Sequence, residues 1–270
     1  MLIDGATTTR VERALADGMV ATVAAMGSLN PASGATAESV GGGQAVLFGP
    51  GMWVNRVVGL GLGRPVTDAD FDRIDELFAA RRLPVELDVN PMADESLLAA
   101  ISARAMTPVW FRSLLVRQVS DDDRGAPQSG VMVRPAHDLA EWQTVSATGF
   151  GYDDVASRRA NDAFAAASRH VGAHLIVATI DGRPVGAAAL SVGRGPGAGV
   201  ATLYGTCSVP SDRRLGVQTA LIGARLAAAA ESGCNLAVST TTPGSASERN
   251  LLRHGFVLAA TKLGVRGAAD

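Results

Sequence analysis

The chain has 270 residues, enough for two domains of about 100–200 residues or a single large one. Hydrophobic residues make up 47% but aromatics only 4%, so a sizeable core is available and Ala, Val and Leu must fill most of it. The formal charge of -2 gives no long-range pull toward nucleic acid or an anionic membrane, and no apolar run approaches about 18 residues, so no membrane-spanning helix is expected.

Near the start, Asp4, Arg10, Glu12, Arg13 and Asp17 break any apolar core of a signal peptide. Cys207 and Cys234 lack the spacing of a metal or redox pair and read as reduced thiols of a cytoplasmic protein. Lys262 is the only lysine, which argues against a lysine nucleophile.

Apolar residues Val11, Leu15, Met19, Val20 and Val23 recur at helical spacing and predict a helix over 7–27. Residues 28–43, rich in Gly, Ser and Ala, read as a loop. Extended segments are expected over 44–48 and 53–62. Gly59, Gly61 and Gly63 at the end of the second lack a full dinucleotide fingerprint and precede Arg64-Pro65, so they read as a strand end and loop. Thr67 or Asp68 caps a helix that buries Phe71, Ile74, Leu77 and Phe78. A strand over 84–89, a helix capped by Asp94 and a strand over 109–119 follow. Residues 120–130, polar with Pro and Gly, form the best linker. They divide the chain into an α/β domain over 1–122 and a second domain over 131–270.

The second half has a definite order: a strand at 131–134, helices at 138–146 and 153–170, and strands at 175–180 and 184–192 joined by the Asp181-Gly182 turn. A strand at 201–209, a long helix at 215–231 stopped by Gly233, a strand at 235–240, a helix at 247–254 and a strand at 256–265 complete it. This is an α+β domain with a mixed sheet.

Chemistry concentrates where the 201–209 strand meets the long helix. A tight loop leading into a helix presents free N–H groups and the positive end of the helix dipole, which suits a diphosphate. Gly216 lets the backbone approach phosphate closely, and Arg213 and Arg214 add charge-assisted bonds. From these residues alone, an ordinary strand-to-helix turn with a solvated arginine pair reads equally well.

With the order of elements added, about 135 residues resemble the GCN5-related N-acetyltransferase family. The resemblance lies in Val209-Pro210, in the loop pattern carried by Arg213, Gly216 and Gln218, and in Asn250 with Gly255-Phe256. It implies a mostly antiparallel sheet flanked by helices, with acetyl-CoA held in a gap splayed between the fourth and fifth strands of the fold. It further implies that the amides of Arg214, Leu215, Gly216, Val217, Gln218 and Thr219 hold the diphosphate and that the Val209 amide polarises the thioester. Ser247 and Asn250 would contact the pantetheine arm or a phosphate. Tandem members make a degenerate copy of the fold one reading of residues 1–122.

Two positions depart from the family pattern. Gln218 replaces the last small residue of the loop, and Leu251 stands where many members carry the tyrosine acid that protonates the leaving thiolate. Tyr204 and Ser208 are the remaining catalytic candidates, with His254 nearby. Each also has a plainer reading: Tyr204 as a core tyrosine, Ser208 as a strand hydroxyl, His254 as a helix-end residue facing the dipole, and Cys207 as an inert buried thiol. His170 and His174 are separated by Gly172 and make a poor metal pair.

The expected function is acetyl transfer from acetyl-CoA to an amine of a small molecule or peptide. A non-catalytic acyl-CoA-binding regulatory module is the alternative, and an interaction protein without cofactor a third reading. In the first half Trp53, Asn55, Arg56 and Glu86 are candidates to line an acceptor cleft, although strand-edge positions account for each.

Overall fold

The computed structural model describes residues 4–125 and 130–267. Residues 126–129, part of the expected linker, lie outside the described residues. The chain divides into two compact units, one of residues 2–114 with 258–270 and one of 115–257.

The N-terminal unit opens with α1, Gly5–Leu29, whose cap Asp4 accepts the Thr7 amide at 2.7 Å. Strands β1 (Thr36–Val40), β2 (Gly43–Leu47) and β3 (Arg56–Val58) follow, then α2 (Asp68–Ala79), β4 (Glu86–Val89), α3 (Glu95–Ala103) and β5 (Thr107–Gln118). The last strand of the chain, β11 (Val257–Arg266), completes the sheet in the order β1-β2-β3-β4-β11-β5. Neighbours β1/β2, β2/β3 and β4/β11 are antiparallel, and β3/β4 are parallel. The expected apolar stripe of α2 is buried as read: Phe71, Ile74, Leu77 and Phe78 pack with Val57, Leu87, Leu97 and Val265.

Two local readings changed. Strand β1 lies inside the expected loop, because its residues are half-buried and carry no strong apolar alternation. The extended segment 53–62 contracts to three residues because Gly59, Gly61 and Gly63 adopt φ of 70°, 75° and 94°, which a strand does not accommodate.

Strand β11 was expected in the C-terminal domain. Its side chains instead find their partners in the N-terminal unit. Lys262 is buried, donates to Glu12 at 2.8 Å and lies 3.0 Å from Asp88. Arg266 donates to Glu86 at 2.7 Å, and Glu86 also accepts the Trp110 indole at 2.8 Å. A buried ammonium is tolerated only beside carboxylates, so this cluster fixes where β11 runs. Three of the four candidate acceptor residues are committed in the same way. Asn55 staples the loop before β3 through Phe48 and Gly49, Arg56 donates to the Trp53 carbonyl at 2.7 Å, and Glu86 belongs to the cluster just described.

The C-terminal unit contains β6 (Met132–Pro135), α4 (Leu139–Phe150), α5 (Val155–His170), β7 (His174–Ile180), β8 (Arg183–Val192), β9 (Val200–Ser208), α6 (Val217–Glu231), β10 (Leu236–Thr241) and α7 (Ala246–Arg253). Its strands run β6-β7-β8-β9-β10, followed by the end of β5. Neighbours among the first four are antiparallel, and β9/β10 are parallel. From α1 to β5 and from α5 to β11 the helices and strands come in one order, α-β-β-β-α-β-α-β, and in both the strands on either side of the middle helix pair in parallel. The fold is the expected α+β architecture with a mostly antiparallel sheet.

Candidate functional site

Two irregularities of the C-terminal sheet open a site. The first is a bulge between β8 and β9: Ala187 faces Cys207 but Ala189 faces Tyr204, so Gly205 and Thr206 together stand opposite Ala188. Gly205 takes φ of 60°, the left-handed conformation such a bulge uses. The Trp142 indole of α4 donates to the Ala188 carbonyl at 3.0 Å and covers the bulge. The second is a splay. Strands β9 and β10 pair only from Leu236 to Val238, and beyond that point the Ser239 hydroxyl donates to the Leu203 carbonyl at 2.9 Å.

The chain leaves β9 through a short 3₁₀ turn over Pro210–Asp212. The buried Asp212 anchors that turn by accepting both Nη groups of Arg183 at 2.6 and 2.9 Å and the Ser211 hydroxyl at 2.7 Å. The Arg183 guanidinium, then Ser211, holds the Asp212 carboxyl down at about 2. Arg214 and Gly216 then take φ of 68° and 81°, which turns the backbone into α6. Gly216 is the N-cap; it has no side chain to cap with, there is no acid in the first turn, and the space where a Cβ would stand is open. The first amides of α6 therefore have no capping side chain.

These elements surround a cavity of about 790 Å³. Its wall includes Thr206, Cys207 and Ser208 from β9, Gly216 to Thr219 from the start of α6, and Ser245 to Ser247 at the start of α7. Arg213, Arg214, Arg249 and Arg253 also line it, and among the described residues no carboxylate does. Asn250 donates to Gln218 Oε1 at 2.6 Å and ties α7 to α6 across the wall. Gln218 is therefore held aside by Asn250.

Residues 136–256 match the profile of the acetyltransferase (GNAT) family. That segment is a GNAT-family domain. The fold of the chain is similar to a GCN5-related N-acetyltransferase from Kribbella flavida, with 20% identity over 93% of this chain and 96% of that one and a TM-score of 0.65. It is also similar to a tandem GNAT protein from the clavulanic acid biosynthesis pathway, with 15% identity over 84% of this chain and 78% of that one and a TM-score of 0.61. No curated protein sequence matches the chain.

Within the GNAT domain, the cavity gathers Ser208, Arg213, Arg214, Gly216, Val217, Gln218, Thr219, Ser247 and Asn250 from the residues singled out in the sequence. Three others stand apart. The Val209 amide donates to the Val185 carbonyl at 2.9 Å and is committed to the ladder, which leaves the bulge at Gly205-Thr206 as the irregular backbone beside the cavity. Leu215 is exposed and outside the wall. Tyr204 lies outside the wall too: its hydroxyl accepts from Ser191 at 3.0 Å, and its ring meets Phe164 edge-on. Burial, against the Ser191 hydroxyl, pushes its phenol up.

Cys207 lines the cavity as a thiol, because burial raises it to about 11. Leu251 packs in the core with Leu203, Ala237 and Phe256. His254 Nδ1 sits 2.7 Å from the Asn250 carbonyl at the end of α7, the helix-end role. The sequence reading missed Phe150, Arg249, Arg253 and Tyr152. Tyr152 is half-buried and stacks on the cavity-lining Phe150 with ring centroids 5.5 Å apart; burial and then Cys207 raise its phenol. One signal was available for the arginines: a spacing of four on a helix whose start was already a candidate.

Proposed function

We propose that the GNAT domain binds acetyl-CoA in this cavity and transfers the acetyl group to an amine of a small molecule or peptide. The observation that carries the reading is the uncapped start of α6, which opens on a cavity lined by four arginines and no acid. A diphosphate satisfies the orphan amides and the arginines together. The splay between β9 and β10 admits the pantetheine arm, and the bulge at Gly205-Thr206 presents irregular backbone to the thioester.

The neutral amine attacks the acetyl carbonyl, a C–N bond forms, and the C–S bond breaks. The amine gives its proton to solvent, and the thiolate takes one from solvent or from the Tyr152 phenol, whose pKa burial raises. Catalysis then rests mainly on holding the two reactants together and on backbone donors facing the oxyanion. The N-terminal unit is proposed to be a degenerate copy of the same fold that binds no acyl donor, supported by the repeated element order and by the closed start of α2 described below.

The test is thiol release from acetyl-CoA with a panel of amines, alongside calorimetry. Binding with amine-dependent release supports a transferase. Binding without release from any amine favours the regulatory acyl-CoA module, and no binding removes both readings.

A further inference from the structure

The cavity holds more positive charge than a diphosphate at the start of α6 requires. Arg213 and Arg214 lie in the turn just before the N-cap Gly216 and line the cavity. Arg249 and Arg253 are elsewhere, on α7, four residues apart and so on one helix face. Both line the cavity. Neither joins an ion pair among the described residues, and the one carboxylate of α7, Glu248, accepts the Gly244 amide at 2.6 Å. Each arginine is oriented by a single neutral contact: Arg249 Nη1 donates to the Gly244 carbonyl at 2.6 Å, and Arg253 Nη1 donates to Asn250 Oδ1 at 3.1 Å. Asn250 continues the chain of contacts to Gln218 in the first turn of α6. Two guanidiniums are thus aimed beside the diphosphate position with most of their donors uncommitted.

We propose that Arg249 and Arg253 form a second anion subsite that reads a phosphomonoester, the 3′-phosphate on the ribose of the donor. A phosphomonoester carries close to two negative charges at neutral pH and three acceptor oxygens, which a pair of guanidiniums matches and a solvated helix face does not need. The subsite makes the domain selective for CoA over carriers that present only the diphosphate or only a pantetheine phosphate. This inference rests on the acyl-donor reading above and adds which residues recognise which phosphate.

Calorimetry with CoA and with 3′-dephospho-CoA separates the two. The wild-type chain is expected to bind CoA at least tenfold more tightly, a difference that shrinks as ionic strength rises. The double variant Arg249→Gln/Arg253→Gln should lose that preference, binding CoA about as weakly as the wild type binds dephospho-CoA. Its affinity for dephospho-CoA should stay within about twofold, which also shows that the variant is folded. Equal wild-type affinity for both ligands, or an equal loss for both in the double variant, would overturn the subsite while leaving the donor reading intact. A wild-type chain that bound neither ligand would remove the donor reading, and this subsite with it.

Discussion

Helices α2 and α6 hold the same place in the repeated order of elements, each between two parallel strands, yet their first turns are opposites. Helix α2 is closed by its own side chains. Thr67 and Asp70 form a capping box, and Asp70 also accepts the Gly41 amide at 3.1 Å and two bonds from Arg64. The Arg64 guanidinium holds the Asp70 carboxyl well below the usual range. Helix α6 begins at Gly216 with no cap, no acid and an open cavity. The same contrast holds in the sheet, where β2/β3 pair in unbroken register and β8/β9 carry the bulge. A helix start can be satisfied by a carboxylate from its own chain or by a phosphate from a ligand; α2 has the first, and the proposed function gives α6 the second.

The buried cations extend the contrast and give the largest expected effect. Lys262 in the N-terminal unit has Glu12 and Asp88, while the fully buried Arg225 of α6 hydrogen-bonds, among the described residues, only to carbonyls, Leu221 at 3.0 Å and Ala189 at 3.5 Å. Lys262→Met leaves two carboxylates facing each other without a cation and should cost about 3–5 kcal/mol in denaturant unfolding. A loss below about 1 kcal/mol would show that the cluster does not fix β11.

Thr219→Asp is the next largest. Thr219 is the third residue of α6, as Asp70 is of α2, so the change installs in the C-terminal unit the charge that closes the N-terminal one. The helix should be as stable as before or slightly more so, with acetyl-CoA binding weakened about a hundredfold or more by calorimetry. Undiminished affinity would place the donor elsewhere. The reverse change, Asp70→Ala, should cost about 1 kcal/mol of stability in thermal or denaturant unfolding, as lost caps do, and leave acetyl-CoA affinity unaltered. Smallest of all is Arg225→Met. Removing a charge buried without a carboxylate should leave the unfolding midpoint unchanged or raise it, because its desolvation already pushes the guanidinium toward the neutral form. A strongly lowered midpoint would mean that Arg225 has a partner of greater weight than two carbonyls.

Much of this was legible in the sequence. The order of elements, the caps Thr67 and Asp94, and the loop from Arg213 to Thr219 follow from apolar periodicity, short polar residues at helix starts and a glycine before a helix. What escaped the sequence depends on contacts distant along the chain. Nothing near Lys262 announces that its carboxylates are Glu12 and Asp88, and so the sequence kept β11 with its own half. Tyr204 was a candidate because it lies on the strand that leads to Val209, but the bulge at Gly205 shifts the register between them, and the phenol ends on Ser191. The commitment of the Val209 amide to Val185 likewise depends on a register that no local pattern encodes.

The account stands most directly on the number and place of acyl-donor sites. Titrating the full chain with acetyl-CoA in a calorimeter should give one site per chain, retained in Asp70→Ala and lost in Thr219→Asp. Two sites per chain, or one that survives Thr219→Asp and disappears in Asp70→Ala, would contradict the assignment of the open start of α6 as the donor site.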